Sequence, residues 1–129
     1  DVLREATSWW KANRDWMAGA DILRLDSADP AVIAEMQMAR DASRFVVFAG
    51  QASASDQVLP RPLRLTRLGP DATYRLALKN PGDAPRYSRG PLALRDEPLL
   101  LSGQYLMAQG LNLPVAWPAT MWVIEGQRT

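Results

Sequence analysis

The chain contains no cysteine and no histidine. Without cysteine there is no disulfide framework, no thiol nucleophile and no thiolate metal ligand, and nothing in the sequence reports on redox compartment. Without histidine the commonest general base and the commonest metal ligand are both missing. No apolar run approaches the roughly 18 residues of a membrane span, and the N-terminus lacks the basic, apolar and small-residue regions of a signal peptide. Net charge is also lacking: 15 basic against 14 acidic residues leave a formal charge of +1. The arginines are scattered, among them Arg61, Arg64, Arg67, Arg75, Arg86, Arg89 and Arg95. They form no phosphate-tracking stripe, so a nucleic-acid partner is not expected. Arginines at alternate strand positions read instead as a solvated face.

What is present is a globular composition, with 47% hydrophobic and 22% charged residues over 129 positions. That length suits one domain, large enough to bury about two thirds of its unfolded surface without metal or crosslinks. The first residue is Asp1 and not Met, which fits a chain cut from something longer.

The N-terminal segment "VLREATSWWKANRDWM" (2–17) sets Val2, Leu3, Ala6, Trp9, Trp10, Trp16 and Met17 along one broad helical stripe, with Arg4, Lys11, Asn13 and Arg14 largely off it. Gly19 is the expected stop. Packed indole rings each bury on the order of 200 Å². Trp9, Trp10 and Trp16 therefore require an apolar surface, supplied either by this domain's own core or by an interface with another body.

Beyond the helix the period changes from 3.6 to 2. Segments 20–26, 31–39, 44–52, 62–68, 73–79 and 120–126 read as strands separated by turn residues. Leu63 and Leu65 alternate with Arg64 and Thr66, and Tyr74, Leu76 and Leu78 with Arg75, Ala77 and Lys79. Trp122 is expected to alternate inward. Asp26 and Asp29, in "DSADP", read as turn residues, with Pro30 extending the chain into the next strand. Residues 80–101 read as a long loop rich in proline and glycine. Short strands joined by tight turns predict a mainly β fold: an antiparallel β-sandwich with an N-terminal helix.

One further helix is expected near 103–109, within "LLLSGQYLMAQGLNLP" (99–114). Ser102 is a good N-cap, and Gly110 suits the left-handed position that ends a helix. Leu106 and Met107 then face the core, and Leu111 begins a short extended return closed by Pro114. Ser102 has no base partner and is not a nucleophile.

Here the residues resemble a known family. "SGQYLMAQGLNLP" is similar to the Ser-Gly-x-x-Leu-Met-x-x-Gly-Leu-x-x-Pro signature near the C-terminus of glycoside hydrolase family 36, the α-galactosidases of raffinose and melibiose metabolism. "DILRLDSADPAVIAEMQMARDASRFVVFA" (21–49) and "LRLTRLGPDATYRL" (63–76) resemble other segments of it in the same order. The signature residues are Ser102, Gly103, Leu106, Met107, Gly110, Leu111, Pro114, Asp26, Asp29, Pro30 and Tyr74, all expected to be structural. The resemblance implies that residues 1–18 are the end of, or linker from, a catalytic (β/α)8 barrel, with 19–129 the C-terminal sandwich. It implies a retaining mechanism run by two barrel aspartates, which no motif here matches. It also implies a cytoplasmic parent enzyme.

The resulting expectation is a non-catalytic domain with no cofactor and no metal, partnered by the barrel of its own chain. Trp9, Trp10 and Trp16 are its docking residues, and self-association through that helix is expected if the barrel is missing. Two alternatives remain open. A carbohydrate-binding module would use Trp117 and Tyr87 as stacking rings, although direct sugar binding is not the favoured expectation. A fibronectin-type or immunoglobulin-like module would exploit the Leu65, Leu68, Pro70 and Tyr74 spacing as a tyrosine corner.

Overall fold

The computed structural model describes residues 2–25, 32–51, 62–79, 98–111 and 121–129. Helix α1 (Val2–Ala18) is followed by strands β1 (Asp21–Leu25), β2 (Val32–Met38), β3 (Arg44–Gln51), β4 (Thr73–Leu78) and β5 (Leu99–Ser102), then helix α2 (Gly103–Ala108) and strand β6 (Met121–Arg128). The strands form one six-stranded sheet in the order β1-β2-β3-β6-β4-β5, each neighbouring pair antiparallel. The expected mainly β, antiparallel architecture is thus present. Of a sandwich's two layers, the described residues supply one full sheet, whose inner face is covered by the segment 62–69 and α2.

Alternation along the strands divides the sheet into two faces. Ala34, Met36 and Met38 of β2, Phe45, Val47 and Ala49 of β3, Trp122 and Ile124 of β6, and Tyr74, Leu76 and Leu78 of β4 all point inward. Leu63, Leu65, Leu68, Leu106 and Leu111 close over them to complete the core. Phe45 and Tyr74 meet at its centre, ring centroids 5.7 Å apart and tilted by 57°. Each such fully buried large side chain contributes about 1.5–3 kcal/mol.

Two segments differ from the sequence expectation. The alternating run 62–68 does not join the ladder; within it only Leu63 makes a β-bridge, to Leu111. Its alternation comes from burial alone. Leu65 gives its N–H to the carbonyl of Leu106 at 3.0 Å, and Arg67 adopts a left-handed φ of 57°, bending the chain away from a strand path. Conversely, the end of the expected loop 80–101 is strand. Leu99 and Leu101 pack against the core while Leu100 faces outward at the sheet edge, which is the pattern of a short β5.

The face of α1 that is buried also differs. Half-buried Trp9 and Trp16 and buried Asn13 and Met17 occupy positions i, i+4, i+7 and i+8, whereas Trp10, expected on the stripe, is 51% exposed. Asn13, expected off the stripe, lies at the centre of the contact.

Candidate functional site

Two constellations carry the residues that the sequence singles out: the helical corner around α2 and the seat of α1 on the sheet.

At the corner, Ser102 has an extended backbone (φ −72°, ψ 154°), and its hydroxyl oxygen accepts from the Tyr105 N–H at 3.1 Å. One otherwise orphaned N-terminal donor is thereby satisfied. Gly103 gives its N–H to the carbonyl of Ala72 at 2.9 Å, and Gln104 gives its own to Pro70 at 3.2 Å. The start of α2 therefore presses directly on the 69–72 turn. A Cβ at Gly103 would stand 2.0 Å from the Gly69 carbonyl oxygen, so no other residue fits without moving backbone.

The turn is held from its other side by Tyr74. The Gly69 N–H donates to the buried Tyr74 hydroxyl at 3.0 Å, so the tyrosine corner suggested by the spacing does form. At the far end of α2, the Gln109 and Gly110 N–H groups share the Tyr105 carbonyl at 2.8 and 3.1 Å. Gly110 has φ +91°, and a Cβ there would come within 2.9 Å of the Leu63 backbone. Leu111 and Leu63 then exchange two backbone hydrogen bonds of 2.8 and 2.9 Å. Ser102, Gly103, Leu106, Gly110, Leu111 and Tyr74 are thus brought together around one object, the non-ladder segment 63–69. Met107 packs at the edge of the core. Asp26, Asp29, Pro30, Pro114, Tyr87 and Trp117 lie outside the described residues.

On the sheet's outer face α1 is held by a polar network that sequence reasoning missed. Asn13 Nδ2 donates to the Trp9 carbonyl at 2.8 Å. Asn13 Oδ1 accepts from Trp16 Nε1 and from Arg44 Nη2, each at 2.8 Å. The Arg44 guanidinium also lies over the Trp16 ring, 4.7 Å from its centroid. Trp9 gives its indole N–H to Glu125 Oε1 and stands edge-on to Phe48 at 6.4 Å and 89°. Such an edge-to-face pair contributes about 0.5–1.5 kcal/mol beyond its burial. The available sequence signal was an asparagine at i+4 from one tryptophan and i−3 from another, the spacing of a shared helix face.

Neither constellation supports acid/base chemistry. Among the described residues, Asp41 is a carboxylate held away from its ordinary value, and it is lowered, first by the Ser43 hydroxyl and then by the Ser43 N–H, both bonded to its Oδ1. A general acid needs a shift the other way. Glu125 is engaged by Trp9 and by Lys79, whose Nζ lies 3.7 Å from its Oε2. Among the described residues no three acidic side chains converge as a metal site, and no helix is long and apolar enough to cross a membrane. What these residues build is a hydrogen-bonded corner and a seat for α1.

The description "glycosyl hydrolase family 36 C-terminal domain" matches this chain over residues 32–124, from the start of β2 to the middle of β6. The chain belongs to that family. Solved structures share its fold. α-Galactosidase AgaB from Geobacillus stearothermophilus matches with a TM-score of 0.74 at 18% identity, over 99% of this chain and 15% of that one. The galactosidase domain of the α-galactosidase–sucrose kinase AgaSK matches at 0.73 and 19%, over 99% and 16%. The α-galactosidase from Lactobacillus brevis matches at 0.73 and 14%, over 100% and 16%. This family 36 C-terminal domain therefore spans about one sixth of the length of those chains. A search of curated proteins returns no match.

Proposed function

We propose that this chain is the non-catalytic C-terminal domain of an α-galactosidase-type glycoside hydrolase, and that it packs against and stabilises the (β/α)8 barrel of its parent polypeptide. The observation that carries this reading is the family match over residues 32–124, whose subject is a C-terminal domain by description. Two features of the site support it. The described signature residues Ser102, Gly103, Leu106, Gly110, Leu111 and Tyr74 close a structural corner around the segment 63–69. Among the described residues the carboxylate Asp41 is exposed in a turn and shifted away from the protonated form that glycosidic acid catalysis requires.

The test is hydrolysis of a chromogenic α-galactoside by the isolated chain and by the longer polypeptide that contains it. Silence from the chain and turnover by the longer polypeptide is the expected result. Turnover by the isolated chain would overturn the non-catalytic assignment, and silence from both would remove the α-galactosidase reading.

A further inference from the structure

An antiparallel sheet with one face on the core ordinarily keeps its other face polar. Here the register places Ile22, Ile33, Met121 and Leu100 on the outer face, opposite the core residues of β1, β2, β6 and β5. They are 67%, 61%, 50% and 63% exposed, respectively. Helix α1 lies on this same face and adds exposed Leu3 and Trp10, seven residues apart and so on one side of the helix, beside the row that seats Trp9 and Trp16. Of the seven large exposed hydrophobic residues described, six therefore lie on the α1 side, and Tyr105 of α2 is the seventh. Scattered single exposures are ordinary, but segregation to one side is the mark of an interaction surface.

The surface has relief and a polar surround. Ile33, Glu35, Phe48 and Met121 line an open hollow at the end of the sheet, and Arg24, Glu35, Arg75 and Gln127 are interspersed among the apolar positions. Apolar positions mixed with polar ones are the usual composition of a non-obligate interface.

We infer that the outer face of the sheet, together with the Leu3 and Trp10 flank of α1, is the surface on which the preceding domain of the parent chain docks. This rests on the proposed function above and adds the face. The occupant is argued from two facts. The family is a C-terminal domain, which places the remainder of a parent chain before α1, on the side where that helix lies. The solved relatives are about six times longer than the part this chain matches, so a body of ample size is available. Among the described residues the opposite, inner face is already filled by the core.

The experiment uses the full-length parent. Ile33→Lys with Met121→Lys should accelerate its thermal inactivation by about tenfold or more, while Tyr105→Lys on α2 changes it by less than about twofold. Hydroxyl-radical footprinting of the unsubstituted parent keeps the test independent of folding defects: Met121 and Trp10 should be protected relative to Tyr105. If Met121 and Trp10 label as fast as Tyr105, or the paired lysines have no effect while deletion of the whole domain destabilises the parent, the assigned face is wrong and the bracing role survives. Deletion that leaves thermal inactivation unchanged would instead sink the bracing role. Protection that disappears on dilution, with a dimer becoming a monomer in light scattering, would assign the face to a second copy of the chain and overturn the inference.

Discussion

Asn13 Oδ1 of α1 accepts a 2.8 Å hydrogen bond from Arg44 Nη2 of β3, so the first helix is tied to the middle of the sheet by an uncharged amide buried beside two tryptophans. The same oxygen serves Trp16, and the amide nitrogen serves the Trp9 carbonyl. Every polar atom of the side chain is used, so truncation strands donors on both elements. Asn13→Ala should cost about 1–3 kcal/mol. In a double-mutant cycle with Arg44→Ala the coupling should be on the order of 1 kcal/mol. Chemical denaturation of the four proteins checks this; additive losses would mean that the helix is held by its indole rings alone.

Gly103 and Gly19 make an opposing pair. Gly103→Ala sets a Cβ against the Gly69 carbonyl, a backbone atom that cannot rotate aside, and should cost about 3 kcal/mol. At Gly19 nothing lies within 4 Å of the added methyl, and its φ is not left-handed. Gly19→Ala should therefore be neutral or stabilise by about 0.4–1 kcal/mol through the unfolded chain. Thermal unfolding of both variants is the measurement. Equal losses would show that α1 needs glycine at its end, as its position after the last apolar residue suggests.

Much of this fold was legible because burial imposes its period on the sequence. The alternation read in β4 placed Tyr74, Leu76 and Leu78 inward correctly, Trp122 of β6 alternates inward as expected, and the Ser102 and Gly110 pair marked both ends of α2. The same signal misread 62–68, because Leu63 and Leu65 alternate to reach the core while their backbone partners lie in the corner and not on a neighbouring strand. Periodicity reports which side is dry. It does not report which chain supplies the hydrogen bonds. Asn13 was missed for a related reason: hydrophobicity assigns asparagine to the solvent face, and only the three-dimensional meeting of Trp9, Trp16 and Arg44 makes its burial favourable.

Tyr74→Phe removes one oxygen from a fully buried side chain. Gly69 N–H then loses its acceptor while the ring keeps its packing against Phe45. The expected loss is about 1 kcal/mol, and exchange of the Gly69 amide proton should quicken by a similar free energy. A loss under about 0.5 kcal/mol with unchanged Gly69 exchange would remove the tyrosine corner as a determinant of this turn.

The β2 to β3 turn carries an acid-sensitive contact. Asp41 accepts from the Ser43 hydroxyl at 2.6 Å and from its N–H at 3.0 Å, and these bonds favour the carboxylate and hold its pKa below 3.8. Because the folded value is the lower one, the unfolded chain takes up this proton first as pH falls. The stabilisation is complete above the ordinary carboxylate pKa and is lost as pH drops through the folded value. Ser43→Ala removes the largest cause, so the Asp41 titration followed by NMR should move up toward 3.8 while the acid limb of the stability curve becomes shallower. A titration that stays in place would transfer the effect to the backbone N–H and to Arg128, whose charge also favours the carboxylate and whose Nη2 reaches the Asp41 carbonyl across the same turn.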